Sequence, residues 1–246
     1  MAVVRFQNVS KSFPHSTSRL LLRHHLVGWF SDGKMQPFFA LKNVSFELGH
    51  GESLAIIGSN GAGKSTLLSL VAGLAKPNAG TVEVNGRVAA LLELGSGFHP
   101  DLTGAENLML NASLLGLDRK TTIRLFDKIV DFSGVDEFIN EPLRTFSTGM
   151  VMRLAFSVAI NTNPDLLLVD EVLAVGDSAF QAKCIEALAE MRRGGRSMLA
   201  VSHSAASIES LCDRAIWLDH GEVVMDGEVR AVLEAYEGRS ALGAKV

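Results

Sequence analysis

The segment GSNGAGKST, residues 58–66, constrains the fold more than any other part of the sequence. It follows a short apolar run, SLAIIG at residues 53–58, and leads into LLSLVAGL, which has the composition of a buried helix. A glycine-rich loop between an apolar strand and a helix is the context that a phosphate-binding loop needs. The sequence therefore predicts a strand, a phosphate-binding loop and a helix in direct succession.

The residue types of this loop suit a phosphate ligand. Glycines at positions 58, 61 and 63 let backbone amides curl around phosphate oxygens, and a following lysine supplies a point charge for the outer phosphates. The alternative, a glycine-rich turn without ligand, is disfavoured because every fixed position of the motif is filled. We expect Ser65 to offer its hydroxyl to Mg²⁺ as well. The predicted phosphate-site residues are Ser59, Asn60, Gly61, Ala62, Gly63, Lys64, Ser65 and Thr66.

Short apolar runs that alternate with helical patterns predict a parallel sheet covered on both faces. Further runs of this kind occur at residues 166–170, 197–202 and 215–219. Towards the N-terminus, residues 3–9 and 41–48 alternate in polarity like strands. The stretch TVEV-NG-RVAALL, residues 81–92, predicts a hairpin because Asn-Gly favours the positive φ angles of a tight turn.

The middle of the chain has helical patterns instead. Thr103 and Glu106 have the spacing of a capping box, and a second apolar helix pattern ends before Gly134. A further helix, at about residues 180–191, is followed by two arginines and a Gly-Gly pair that suit a helix C-terminus.

We expect a single α/β domain over residues 1–246, with a mostly parallel P-loop core, an N-terminal antiparallel β subdomain and an inserted helical subdomain. The β-rich front and core span about 1–92 and 161–237, the helical subdomain about 93–160, and an N-terminal helical insert about 14–38.

Composition excludes several classes of function. The chain is 47% hydrophobic with a mean hydropathy of +0.23, which indicates a well-buried core. A net charge of −4 without a basic block gives nucleic acid no electrostatic footprint. Neither a signal peptide nor an apolar run of ~18 residues is present, so we expect a cytoplasmic protein whose membrane role would come from a partner. Cys184 and Cys212 are expected to be reduced, buried and structural.

The run LLLVDE, residues 166–171, ends in two carboxylates. In isolation, an acidic pair at a strand end is usually a helix cap. In a chain that also has a phosphate-binding loop, we expect such a strand to carry the carboxylates that face Mg²⁺. We expect Asp170 to hold Mg²⁺ through water and Glu171 to act as the general base on the attacking water. His203 follows the strand at 197–202, where its side chain can reach the γ-phosphate.

With these motifs in this order, the chain resembles the nucleotide-binding subunit of an ABC transporter over nearly its whole length. The resemblance implies that two subunits sandwich two ATP molecules head to tail. Each nucleotide then lies between the P-loop of one subunit and the signature segment of the other, so that ATP binding closes a dimer and hydrolysis reopens it.

The stretch FSTGM, residues 146–150, stands where that family has LSGGQ. Ser147 and Gly149 keep the family's identity and register. Ser147 can cap a helix and donate to the γ-phosphate, Gly149 permits close backbone approach, and the helix N-terminus faces the anion. Met150 replaces a polar glutamine, so that family contact is not expected here.

Within the family, FSTGM resembles the ATPases that export lipid-linked polysaccharides such as O-antigen, capsule and teichoic acid. ALLELGSGFHPDLTGAENL, residues 90–108, is similar to this group, with Glu93 as a candidate Mg²⁺ ligand or as a transmitter of strain to the membrane partner. EVLAVGDSAFQAKC, residues 171–184, places Asp177 where an aspartate crosses the dimer interface. The chain is expected to lack the carbohydrate-binding domain that some relatives carry at their C-terminus.

Residues 12–39 form an insert that ordinary transporter ATPases lack. Its apolar residues form no clean amphipathic stripe, and the resemblance implies a helix near the cytoplasmic mouth of a channel. Packing on its own domain is an equal alternative. The aromatic residue that stacks on adenine is either Phe13, at the usual strand end, or Phe39.

The resemblance thus implies the ATP-hydrolysing subunit of a polysaccharide exporter that uses ATP and Mg²⁺. It would act as a homodimer beneath two copies of a separate membrane subunit, at the cytoplasmic face of the membrane. The alternatives are the ATPase of another ABC transporter class and a soluble ABC protein that uses ATP as a switch. A P-loop kinase or GTPase is disfavoured because neither needs the signature serine.

Overall fold

The computed structural model describes residues 2–14, 37–91, 94–170, 176–202 and 205–243. The strands are β1 (Ala2–Phe13), β2 (Phe38–Gly49), β3 (Ser53–Ile57), β4 (Ala79–Val84), β5 (Val88–Ala90), β6 (Leu166–Asp170), β7 (Ser197–Val201), β8 (Arg214–Asp219) and β9 (Glu222–Glu228). The helices are α1 (Lys64–Val71), α2 (Gly104–Leu114), α3 (Arg119–Ser133), α4 (Thr148–Asn161), α5 (Ser178–Arg193), α6 (Ala205–Leu211) and α7 (Val229–Gly243).

A three-stranded antiparallel sheet forms the front of the molecule, with strand order β2-β1-β4. The stacked rings of Phe6 and Phe46, 4.7 Å apart, lie at its centre. The ladder of β1 and β2 contains bulges, and Asn8 and Asn43 both have a φ of 50°. Asparagine tolerates this left-handed conformation better than most residues. The predicted strands at 3–9 and 41–48 are confirmed, although both are longer than expected.

The main sheet has the order β5-β6-β7-β3-β8-β9, and only β9 runs antiparallel. Successive residues of β3 face two different hydrophobic clusters. Leu54 and Ile56 pack in the cluster that includes Phe6 and α1, whereas Ala55 and Ile57 pack with Phe156 of α4. Burial on both faces explains why these strands are continuous apolar runs, as predicted.

The predicted hairpin at residues 81–92 is wrong. β4 pairs with β1 in the front sheet, while β5 pairs with β6 in the main sheet. Gly86 has a φ of 97°, but Asn85 is outside the left-handed region, so the two residues do not form the turn that returns a chain on itself. The backbone N–H of Arg87 donates to Asp165, 2.8 Å away, and draws the chain to the second sheet.

The hairpin of the main sheet lies between β8 and β9. His220 and Gly221, with φ of 48° and 82°, form its two-residue turn. A Cβ atom on Gly221 would lie 2.7 Å from the carbonyl oxygen of Ala40, so glycine is required there for packing as well.

Helices α2, α3 and α4 pack around a hydrophobic cluster of their own, which includes Leu108, Ile129 and Leu154. The predicted capping box is confirmed: Thr103 accepts from the N–H of Glu106, whose carboxylate accepts from the N–H of Thr103. Helix α3 ends before Gly134, as predicted, and Gly134 adopts the left-handed conformation. This arrangement supports the predicted helical insert at about 93–160, whose boundaries stay a prediction.

Of the predicted N-terminal insert at about 14–38, residues 15–36 lie outside the described part of the chain, and Phe38 belongs to β2. The described segments contain no helix that is long and apolar enough to cross a membrane.

Both cysteines are buried, Cys184 on α5 and Cys212 after α6. Burial raises the pKa of each thiol to about 12. Because the thiolate is the reactive form, both side chains are protonated and inert near neutral pH, as a structural role requires.

Candidate functional site

The glycine-rich loop runs from the end of β3 to the start of α1, and its glycines serve different purposes. A Cβ atom would lie 2.2 Å from the Leu218 carbonyl oxygen at Gly58 and 2.3 Å from that of Ala40 at Gly63. Gly61 has a φ of 80°, and no other described atom lies within 4 Å of the position of its Cβ. Packing thus requires two of the glycines, while the third shapes an open concave surface.

Lys64 is the first residue of α1 and is buried, with 7% of the residue exposed. Its Nζ donates to the carbonyl oxygens of Gly58, at 2.8 Å, and Ser59, at 3.0 Å. These bonds hold a positive charge inside the loop. The positive end of α1 meets the loop because the helix begins at Lys64, and neither an acidic residue nor a side-chain cap neutralises its first turn. This is a ready-made site for an anion.

A cavity of about 380 Å³ lies beside the loop. Ser65, Thr66 and Asp170 line it together, because β3 and β6 are separated only by β7 and end at the same edge of the sheet. A hydroxyl and a carboxylate are oxygen ligands of the kind that Mg²⁺ prefers. Among the described residues, the cavity is lined by Phe13, Phe38, Ala40, Asn60, Gly61, Gly63, Lys64, Ser65, Thr66, Asp170 and Val201.

Two of the predicted loop residues, Ser59 and Ala62, do not line the cavity but hold the loop in place through backbone hydrogen bonds. The carbonyl oxygen of Ser59 holds Lys64 and also accepts from the N–H of Ala62. Ala62 is buried, and its carbonyl oxygen accepts from the N–H of Gly221. These contacts fix the loop against the hairpin of β8 and β9.

Two aromatic side chains border the cavity, Phe13 at the end of β1 and Phe38 at the start of β2. The two residues are paired in the ladder, and both are about half exposed. Phe39, the alternative considered from the sequence, is paired with Ser12 and is not among the lining residues. Adjacent strand residues point to opposite faces, so only one of the two consecutive phenylalanines can face the cavity. Sequence reasoning missed Phe38 because the pairing register is not visible locally.

Ser147 and Gly149 lie at the N-terminus of α4. Ser147 is the N-cap, and its Oγ accepts from the N–H of Met150 at 3.2 Å, as predicted. A Cβ atom on Gly149 would have only the Ser147 Oγ near it among the described atoms, at 3.8 Å. Packing among the described residues gives no reason for glycine at this position. Neither residue lines the loop cavity of its own chain, in agreement with a site that another molecule completes.

Asp177 is the N-cap of α5, where its carboxylate accepts from the N–H of Phe180 at 2.9 Å. It is exposed and can still contact a second molecule. Glu93, Glu171 and His203 lie outside the described residues. Within the described ranges, no group of three or more histidine, cysteine or acidic side chains could hold a metal.

Comparisons with known proteins agree with this geometry. Residues 41–174 match the family model described as "ABC transporter". The chain is 45% identical to the O-antigen export system ATP-binding protein RfbB of Klebsiella pneumoniae, over 96% of this chain and 97% of that protein. It is 39% identical to the teichoic acids export ATP-binding protein TagH of Bacillus cereus, over 95% of this chain and 42% of that protein.

A solved dimer of the ATP-binding cassette MJ0796, bound to ADP and Pi, has a TM-score of 0.72 and 22% identity, over 92% of this chain and 99% of that one. This likeness supports the fold, and it confirms the predicted α/β class. The resemblance drawn from the sequence motifs is confirmed too: the chain belongs to the ABC transporter family.

Proposed function

We propose that this chain is the ATP-binding and ATP-hydrolysing subunit of an ABC exporter for a lipid-linked polysaccharide, such as an O-antigen, a capsule or a teichoic acid. The observation that carries the proposal is the 380 Å³ cavity, where Lys64, Ser65 and Asp170 meet at one edge of the sheet. The cargo class is supported by relatives named for O-antigen export and teichoic acids export.

The loop residues bind the phosphates of ATP. The N–H groups at the start of α1 and the Nζ of Lys64 neutralise the negative charge of the outer phosphates. We assign Ser65 and Asp170 to Mg²⁺, the latter through water. When bound, Mg²⁺ supplies charge neutralisation and orientation of the transferred phosphoryl group.

The acid–base roles remain those expected from the sequence. Glu171 immediately follows Asp170 in the sequence and is assigned as the general base on the attacking water. His203 follows β7 by two residues and is assigned to the γ-phosphate. Glu93 is a candidate Mg²⁺ ligand.

A second copy of the chain completes the site. Ser147 and Gly149 lie at an exposed helix N-terminus outside the loop cavity, where the helix dipole attracts an anion. In a head-to-tail homodimer, each would face the γ-phosphate bound to the partner's loop. Asp177 would cross the same interface. Two copies of a separate membrane subunit would hold this dimer at the cytoplasmic face of the membrane.

The aromatic pair makes the nucleotide site testable. Phe13→Ala and Phe38→Ala are each expected to weaken ATP binding about tenfold, because stacking of a base on an aromatic ring contributes roughly 1–3 kcal/mol. Phe39→Ala is expected to leave ATP affinity within about twofold, because Phe39 does not line the cavity. The measurement is titration calorimetry with ATP and, in parallel, with inorganic triphosphate.

Triphosphate is the control because it lacks the base, so its affinity should not change in any of the three variants. Weaker ATP binding in Phe39→Ala, with Phe38→Ala unaffected, would show that the ring facing adenine has been assigned wrongly.

The exporter is distinguished from a soluble ABC switch protein by its partner. Glu171→Gln removes the proposed base and is expected to hold the ATP-bound closed dimer, so a tagged variant is purified with ATP from detergent-solubilised membranes. One polytopic membrane protein should co-purify in equal amounts, encoded beside glycosyltransferases. Recovery only from the soluble fraction, free or on ribosomes, would refute the export function and leave ATP hydrolysis standing. A membrane partner encoded beside other transport genes would indicate another transporter class.

A further inference from the structure

A second, larger cavity lies at the amino ends of the main-sheet strands, whereas the phosphate-binding loop lies at their carboxyl ends. It has a volume of about 600 Å³ and is bordered by residues just before β5 and β7. Its other walls come from α3, the end of α4 and the end of α5. A volume of this size, between helices packed on different parts of the core, is in the range that holds a small organic molecule.

Positive side chains dominate the charged lining of this cavity. Arg87, Arg124, Lys128 and Arg196 line it, against a single carboxylate, that of Glu190. The chain as a whole has a net charge of −4, so this local excess of positive charge runs against the global balance. Anions are therefore concentrated here relative to the rest of the surface.

Two of the four cations are already held by the protein. Arg87 donates to the carbonyl oxygen of Asn163 at 3.0 Å, and Arg196 lies 3.7 Å from the carboxylate of Asp165. Arg124 and Lys128 have no ion pair or hydrogen bond to the described part of the chain. They are four residues apart on α3, so their side chains lie on one face of the helix. Their charges are available to a ligand.

Arg124 and Lys128 are not explained by a role in neutralising the helix C-termini that border the cavity. The C-termini of α4 and α5 border the cavity, and their carbonyl groups favour cations. Arg192 and Arg193 already occupy the last turn of α5. Arg124 and Lys128 belong instead to α3 and lie within the helix, away from both of these C-termini.

Much of the remaining lining is apolar, beside the polar side chains of Thr121, Asn161, Thr162 and Asn163. Leu117, Leu125, Phe132, Ile160 and Met191 line the cavity, and the last four of these are partly buried. An inorganic ion would leave this surface unused. A ligand with both an anionic group and an apolar body would use both parts of the lining.

We propose that this cavity binds a small organic anion, a carboxylate, sulfonate or phosphate attached to an apolar group. The anionic group pairs with Arg124 and Lys128, and the apolar body packs between Phe132 and Met191. The bound ligand bridges α3 to α5, and therefore the helical cluster to the core of the main sheet. This site does not depend on the proposed transport function.

The probe for the test is 8-anilinonaphthalene-1-sulfonate, titrated into the purified full chain and followed by its fluorescence. The double variant Arg124→Glu/Lys128→Glu is expected to weaken binding at least about tenfold, because two charge-assisted contacts become repulsive. The matched control is Arg119→Glu/Lys120→Glu, which makes the same charge change on exposed residues of α3 outside the cavity. The control is expected to stay within about twofold of the unmodified chain.

Two further comparisons separate charge from volume. Ala187→Phe narrows the cavity without changing its charge and is expected to weaken binding as well. N-phenyl-1-naphthylamine has the same rings without the sulfonate, and its binding should be insensitive to Arg124→Glu/Lys128→Glu. Equal weakening by both charge-reversed pairs, or no effect of Ala187→Phe, would overturn the proposal. Thermal unfolding of each variant verifies that it is folded, and no arm of the experiment requires ATP hydrolysis.

Discussion

Replacing Lys64 by alanine is expected to lower ATP affinity and turnover by roughly a hundredfold or more, the range seen when one donor to a critical charge is removed. The Nζ of Lys64 is held inside the loop by the carbonyl oxygens of Gly58 and Ser59, so its position is fixed before a ligand arrives. Alanine keeps the helical backbone but removes the only side-chain cation that lines the cavity among the described residues. ATP binding by calorimetry and phosphate release by a steady-state assay measure the two losses.

The matched control for this loss is Lys76→Ala, which removes an exposed lysine outside the cavity. It should leave both ATP binding and turnover within about twofold, since exposed charges contribute little. An unchanged ATP affinity in Lys64→Ala, with normal folding, would mean that phosphate is not bound by this loop.

Gly149→Asp is expected to abolish most turnover without destabilising the chain. A carboxylate about 4 Å from a phosphate oxygen costs about 4 kcal/mol at an effective dielectric constant of 20, which corresponds to at least a hundredfold in rate. Within the chain the same residue is favourable, because among the described atoms the added Cβ meets only the Oγ of Ser147, at 3.8 Å, and an acidic group suits the first turn of α4. The free energy of unfolding should rise by about 0.5 kcal/mol or stay constant. Chemical denaturation and the phosphate-release assay report the two quantities.

The comparison for this variant is Lys120→Asp, which places a carboxylate at the second helical position of α3. That helix start has no proposed role in hydrolysis, so turnover should be unaffected. ATP binding to the loop should survive in Gly149→Asp, since the residue acts on the partner's nucleotide. Normal turnover in Gly149→Asp would contradict the head-to-tail site.

The parts of the site that were predictable from sequence are those encoded by neighbouring residues. The loop at 58–66, the capping box of Thr103 and Glu106, and the serine cap of α4 each depend on side chains within a few positions of one another. Local chemistry alone determines such features, because the hydrogen bonds close within one turn. Burial of the apolar strands was predictable from their continuous apolar composition, which is typical of a sheet covered on both faces.

Features that depend on distant pairing were harder to predict. The Asn85-Gly86 dipeptide favours a hairpin in isolation, but β4 and β5 find better partners in β1 and β6. The choice between Phe38 and Phe39 likewise depends on the ladder with β1, whose bulges shift the register. A one-residue shift exchanges the two faces of a strand, so periodicity alone cannot identify the ring that faces the cavity.

The larger cavity was also outside the reach of sequence reasoning. Its positively charged residues are Arg87 before β5, Arg124 and Lys128 on α3, and Arg196 before β7. These segments are far apart in the sequence. None of these segments has a motif that predicts a ligand. Only the folded arrangement brings them together.

Strand β3 connects the two hydrophobic clusters to the nucleotide loop. With five residues, it places alternate side chains in opposite layers and then continues directly into Gly58. Strand β3 therefore holds the loop rigidly, because a tilt of the loop would disturb the packing of both hydrophobic clusters at once. Closure around a nucleotide therefore costs less free energy if whole subunits move toward a fixed loop than if the loop changes its conformation. Strand β3 would then transmit the movement from the loop to the rest of the domain.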